Sequence, residues 1–450
     1  MKKIICLNLA LIFAPGIFAQ TNANVSMASP AASATASSAK ITALTLADAE
    51  KIALKNHPQI AAANYRALAA QEAVKETRAG YFPTANLYAN AVGANDEGTR
   101  IMAGGLNNPS IFDRAAGGLA MNQLITDFGH TANLTASSKL QAQAENQNAS
   151  ATREQVLLQV DVNYFGALQA QAISRVAQQT FDTRQLLLNQ VSLLASNKLK
   201  SELDVSFARV AVQESRLLLQ KAQNNADEAM TSLSTALGYR EPRQFQLMEQ
   251  TQSTYSYTTY TNDVSQLVQT ALAERPELLS LRDERDAALH FAKSQRDARL
   301  PTVQAVGVIG YAPIHDDSLP DDYAAGGLQL SLPLFAGGLY SARQREAELK
   351  AQSDYELLRD AEDNIVRDVH LAWFNVSNAL EQLKTTEELV DNATEADDLA
   401  QARYKIGSSS IVELSQAQLS LTSAQIAEAN ARYNVLIEQA NLDYEIGALH

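Results

Sequence analysis

The chain has one cysteine, Cys6. It lies within the first residues, which read as an export signal. Lys2 and Lys3 give a positive start, and Ile4 to Ile12 is apolar except for Asn8. Pro15 and Gly16 break the run before Ile17-Phe18-Ala19 offers a cleavage point ahead of Gln20. A mature chain from Gln20 onward has no thiol, so neither disulfides nor thiolate chemistry hold it together. Cys6 has too little apolar sequence before it to be a lipid-attachment residue. Basic residues are also scarce: 36 Lys and Arg stand against 50 Asp and Glu, and loss of Lys2 and Lys3 moves the formal charge from −14 to −16. That balance excludes nucleic acid, whose phosphates require clustered cations. No later run reaches the length of a membrane-spanning helix. A chain of this kind crosses a bilayer only as a closed β-barrel.

Catalytic and metal motifs are missing as well. The six histidines, His57, His130, His290, His315, His370 and His450, show no paired metal-ligand spacing, and there is no H-E-x-x-H or G-x-x-x-x-G-K. Ser408-Ser409-Ser410 after Gly407 reads as a helix turn with Ser410 as N-cap, not as a nucleophile elbow. Trp373 reads as packing. Glu387-Glu388 and Asp397-Asp398 read as solvated helix faces. The chain is expected to be no enzyme and to carry no cofactor and no metal.

What is present is a repeat. Ala53-Leu54-Lys55-Asn56-His57-Pro58 matches Ala271-Leu272-Ala273-Glu274-Arg275-Pro276 at an offset of 218, and Pro83 matches Pro301 at the same offset. Further on, Leu119 matches Leu328, Gly129 matches Gly338, Tyr164-Phe165 matches Trp373-Phe374 and Leu237-Gly238 matches Ile446-Gly447, all at an offset of 209. The nine-residue change falls between Pro83 and Leu119 and marks a longer surface loop in the first copy. The spacing defines residues 41–238 as a first repeat, 239–263 as a segment between copies and 264–450 as a second repeat. Residues 1–19 form the signal and 20–40 an Ala- and Ser-rich flexible segment.

Each copy opens with a short helix that restarts at Pro58 or Pro276, a first-turn position where the missing N–H costs little. The period then changes to two. Ala85, Leu87, Ala89 and Ala91 alternate with Asn86, Tyr88 and Asn90, and Leu328, Leu330 and Leu332 alternate with Gln329 and Ser331. These are half-buried strands. They give strand pairs at about 84–125 and 302–332, joined by polar loops at about 94–113 and 312–322. Four strands are too few to close a barrel alone.

Two long helices follow, at about 131–195 and 341–406, with return helices at about 201–237 and 411–446. Ile365, Val369, Ala372, Val376, Ala379 and Leu383 step by four and three alternately. So do Val205, Ala208, Val212, Ser215, Leu219, Ala222, Ala226, Ala229, Leu233 and Ala236. Alanine at so many seam positions brings helix axes close but buries little area, so many parallel seams are needed.

These elements resemble the TolC-type outer-membrane efflux proteins. The resemblance rests on the two A-L-x-x-x-P segments, the Pro-led strand pairs and Pro333-Leu334-Phe335-Ala336-Gly337-Gly338. It also rests on the turns Ser201-Glu202-Leu203-Asp204-Val205 and Tyr404-Lys405-Ile406-Gly407-Ser408-Ser409-Ser410-Ile411-Val412-Glu413-Leu414. It implies an α+β membrane protein with two repeats of long coiled-coil helices and two strands each. Three chains would share a twelve-stranded barrel in the outer membrane on an α-helical periplasmic tube. Residues 239–263 would join a belt around the tube. The implied function is the exit duct of a tripartite efflux system for small toxic compounds, with an inner-membrane transporter, a periplasmic adaptor and outer-membrane lipid as partners. The duct of a type I protein secretion system is the alternative within the family. An envelope coiled-coil structural protein or adhesin is the alternative outside it.

Asp204 and Glu413 occupy matching positions after the two helix turns, so a trimer would carry two rings of three carboxylates at its periplasmic tip. The same carboxylates also suit the positive ends of their helices. Tyr404 matches the family's tip tyrosine. Where some members have Arg and a second carboxylate, this chain has Ser409 and Gln416. Lys198, Lys200 and Lys405 are the basic residues read as nearest to the tip carboxylates.

Overall fold

The computed structural model describes residues 42–92, 102–103, 106–107, 114–249, 263–314 and 320–449. The export signal, the flexible segment 20–40, His315, His450 and most of the two strand-connecting loops lie outside the described residues.

The first copy runs β1 (Thr42–Leu44), α1 (Leu46–Asn56), α2 (Pro58–Ala79), β2 (Thr84–Val92), β3 (Met102–Ala103), β4 (Leu106–Asn107), β5 (Arg114–Thr126), α3 (His130–Ser196) and α4 (Glu202–Ala236). After β6 (Phe245–Leu247) the second runs α5 (Val264–Glu274), α6 (Pro276–Asp297), β7 (Thr302–Ile314), β8 (Asp322–Ser331), α7 (Leu339–Lys405) and α8 (Ile411–Glu445). The helices match in length copy for copy, at 11, 22, 67 and 35 residues. The corners match too. Positive φ occurs at Phe128 and Gly337, Gly129 and Gly338, Lys198 and Gly407, Gly238 and Gly447. Pro58 and Pro276 each stand in the first turn of their helix, as read, and the His57 ring accepts from the Gln59 amide at 3.4 Å.

A helix of 67 residues extends roughly 100 Å. No single neighbour covers α3. Along one half it packs against α4 and α8, along the other against α2 and α6, and α7 packs against α8 and then α6 and α5. The helices therefore form a wall four across, in the order α4, α3, α8, α7 in one half and α2, α3, α6, α7 in the other. The seams are those of the heptad pattern: Val205, Ala208, Val212, Ser215, Ala222, Leu233 and Ala236 are buried, as are Ile365, Val369, Ala372, Val376 and Ala379. Both edges of the wall carry exposed apolar side chains, Leu203, Phe207, Val210 and Leu217 on α4 and Leu357, Leu371, Phe374 and Leu399 on α7.

The four long strands form one antiparallel sheet in the order β2-β5-β7-β8, which leaves β2 and β8 as edges. One face carries Asn86, Asn90, Asn122, Gln304, Gln329 and Ser331; the other carries Leu87, Leu119, Met121, Ile309, Leu328 and Leu330. All six of those apolar side chains are exposed.

Three features differ from the sequence reading. The loop at 94–113 contains a short hairpin, β3 with β4. The segment between copies contributes β6, which pairs in parallel with β1, and the Tyr164 hydroxyl lies 2.9 Å from the Leu44 carbonyl and 2.8 Å from that of Met248, fastening both strands to α3. Asp397 is not on a solvated face: it is 6% exposed, accepts from Gln401 at 2.7 Å, and burial pushes its carboxyl upward. Trp373 is half-buried against the α5–α7 cluster, with its ring edge-on to Phe374 at 5.2 Å.

Candidate functional site

The two helix turns come together at one end of the wall. Val191 and Val205 of the first copy share a buried cluster with Ala400, Tyr404, Ile411 and Leu414 of the second. The packing is possible because both turns reverse the chain tightly. At Gly407, with φ 78°, glycine takes the left-handed conformation without a Cβ clash. At Lys198, with φ 59°, the first copy places an ordinary residue in the same conformation.

Asp204 closes a reciprocal cap. Its amide donates to Ser201 Oγ at 3.1 Å, and its Oδ2 accepts from the Ser201 amide at 3.1 Å and from Ser201 Oγ at 3.0 Å. Glu413 is only half of the same device. Its amide donates to Ser410 Oγ at 3.2 Å, but its carboxylate turns away to meet Arg403 at 3.1 Å. The sequence points to Lys198, Lys200 and Lys405 as the basic residues near the carboxylates, and the structure adds Arg403. It lies ten positions before Glu413 and meets it only once the chain has turned. Thus an Arg–carboxylate bridge exists here within one hairpin, between Arg403 and Glu413.

Tyr404 is 8% exposed and its hydroxyl has no hydrogen-bond partner among the described residues. Lys200 Nζ sits 4.1 Å from its ring centroid, a cation–π contact that links the two turns. Burial, with the Asp204 charge second, pushes the phenol upward, so it stays protonated throughout the physiological range. The Ser409 hydroxyl is also buried without a partner among the described residues, whereas Gln416 is exposed. The structure thus brings Asp204, Tyr404, Ser409, Glu413, Lys200 and Arg403 to one end of the molecule. Among the described residues no group of His, Cys, Asp and Glu is arranged to hold a metal.

The model of the outer membrane efflux protein family matches residues 49–239 and 267–448, which is most of both copies. The chain belongs to the outer membrane efflux protein family. Outer membrane protein TolC of Escherichia coli K12 is 25% identical over 395 residues, covering 85% of this chain and 78% of TolC. The alkaline protease secretion protein AprF of Pseudomonas aeruginosa is 24% identical, covering 90% of this chain and 85% of AprF. Among solved structures, the outer membrane protein VceC of Vibrio cholerae superposes with a TM-score of 0.77 at 19% identity, covering 89% of this chain and 96% of VceC. As a member of this efflux family, the chain is an exit duct of the outer membrane that extends into the periplasm. Its relatives are channel proteins, and its wall of helices and strands has their fold.

Proposed function

We propose that three copies close a twelve-stranded barrel in the outer membrane, above a periplasmic helical tube, as the exit duct of a tripartite system that exports small toxic compounds. One observation carries this reading. Among the described residues the sheet has four strands, two unpaired edges and one face that exposes Leu87, Leu119, Met121, Ile309, Leu328 and Leu330. Unpaired backbone cannot face hydrocarbon, so β8 of one copy pairs with β2 of the next until the ring closes. The apolar face then meets lipid and the amide-rich face lines the lumen. The exposed apolar edges of α4 and α7 are covered by the same threefold arrangement.

In that assembly the turns form the periplasmic tip. Asp204 and Glu413 make two rings of carboxylates, Arg403 offsets the second, and Tyr404, Ser409 and Gln416 complete the gate. A groove of about 760 Å³, lined by Gln169, Glu381, Thr385, Ala427, Asn430 and Ala431, is the strip offered to a periplasmic adaptor, which links the duct to an inner-membrane transporter. The test is export from cells that lack their own exit duct. Producing this chain together with its adaptor and transporter should restore resistance to toxic compounds. Unchanged sensitivity, with the protein present in the outer membrane, counts against the reading. Protein secretion is the second reading, because AprF, a protease secretion protein, is similar over as much of the chain as TolC.

A further inference from the structure

The polar face of the sheet carries one feature that an exit duct does not require. Tyr88 of β2 pairs with Gly118 of β5, Gly118 with Gly310 of β7, and Gly310 with Tyr323 of β8. Directly paired residues share a face. The four strands therefore carry a single row, Tyr-Gly-Gly-Tyr, on the side that bears Asn86, Asn90, Asn122 and Gln329.

The glycines determine how the row is used. A Cβ on Gly118 would lie 2.7 Å from the Tyr323 hydroxyl oxygen, and a Cβ on Gly310 would overlap the Tyr323 ring itself. Tyr323 therefore lies flat across two strands, on backbone that only glycine leaves open. A ring seated in this way has one π-face on the wall and the other turned outward. Tyr323 remains 41% exposed, and Tyr88, at the far end of the row, is 60% exposed. Tyr323 is eight residues from Ser331 at the helical end of β8, roughly 26 Å along the strand. Tyr323 thus stands near the outer end of β8, which Asp322 opens, and Tyr88 stands midway along β2.

We infer that Tyr88 and Tyr323 form a transit site for planar aromatic cations in the barrel lumen, an inference that rests on the trimeric barrel proposed above. Three copies place six tyrosines around the path. An open π-face attracts both flat rings and positive charge through its quadrupole. The acidic chain, with a formal charge of −14, favours the same sign of ligand. The flanking amides of Asn86 and Asn90 supply neutral hydrogen bonds without repelling it. Such a site is shallow and open, so it slows a passing molecule rather than storing it.

The test uses the purified full-length protein in planar bilayers, with ethidium as the aromatic cation and tetraethylammonium as the non-aromatic control. Carboxylates anywhere in the duct attract both cations, whereas an aromatic platform prefers ethidium. Wild-type channels should be interrupted by ethidium at about tenfold lower concentration than by tetraethylammonium. Tyr88→Leu and Tyr323→Leu should each raise the half-blocking ethidium concentration about fivefold, the scale of one exposed cation–π contact, and Tyr323→Phe should leave it unchanged. If Tyr323→Leu uncovers the glycines and fails to assemble, Tyr88→Leu, whose ring covers neither glycine, decides the matter. Open channels that ethidium blocks no better than tetraethylammonium, or equal block in wild type and the Leu variants, overturn the site. Absence of any wild-type channel is a different result, which removes the barrel reading itself.

Discussion

Glu154 stands on α3 where α6 crosses it and is 7% exposed. Burial, and then the charge of Glu277, pushes its carboxyl from the usual 4.5 up to about 7, with Arg275 and Arg153 only partly opposing. The unfolded chain releases this proton near 4.5 and the native one near 7, so the native state holds more protons in between. Stability from this group is therefore complete below pH 4.5 and is lost as pH rises to about 7, after which the penalty is constant. At 1.36 kcal/mol per pH unit, the penalty is about 2 kcal/mol at pH 6 and about 3 kcal/mol above pH 7.5. Glu154→Gln keeps the shape and removes the titration. It should gain almost nothing at pH 4 and about 2 to 3 kcal/mol per chain at pH 8. Thermal unfolding of both proteins in one detergent at one scan rate, from pH 4 to pH 9, reads the difference directly. Burial and the charge of Glu50 push the nearby Asp161 carboxyl upward too, so both proteins weaken with pH and only their difference is diagnostic. A difference that does not change with pH, or a variant no more stable than wild type at pH 8, refutes the argument.

Ala222, 4% exposed on the α4 seam, should not accept a larger side chain: Ala222→Leu should cost about 1 to 3 kcal/mol per chain, visible as a lower unfolding temperature. Lys198 holds a left-handed conformation that glycine fills in the other copy, so Lys198→Gly should stabilise by about 1 kcal/mol in the same assay. At the tip, Arg403→Gln should leave Glu413 without its counter-charge and raise the cation selectivity of single channels across a salt gradient. Asp204→Asn with Glu413→Gln should lower that selectivity and weaken block by multivalent cations from the tip side. An unchanged reversal potential in both variants would mean that these carboxylates act only on their own helices.

Much of the helical architecture is legible in the sequence because it is written in local chemistry. Pro58 and Pro276 mark restarts, the steps of three and four from Val205 to Ala236 mark a seam, and Ser201 with Asp204 spells a cap within four residues. The alternation around Leu87 and Leu328 marks strands for the same reason. What escapes is contact between residues distant in sequence or across a turn. Arg403 with Glu413, Lys200 with Tyr404, and the two carbonyls gathered by Tyr164 are settled by how the chain returns on itself. Asp397 has an acidic neighbour in Asp398 and reads as solvated; its helical phase, not its type, buries it. Lys198 gives no sign of its left-handed backbone beyond its alignment with Gly407.

The central claim is that one chain holds a third of a barrel. The molar mass of the purified protein in mild detergent, measured by light scattering with the detergent contribution subtracted, tests it most directly. A single species with three times the mass of the chain is expected. A monodisperse monomer that still gives channels in bilayers would contradict it, because four strands with edges at β2 and β8 cannot close on themselves.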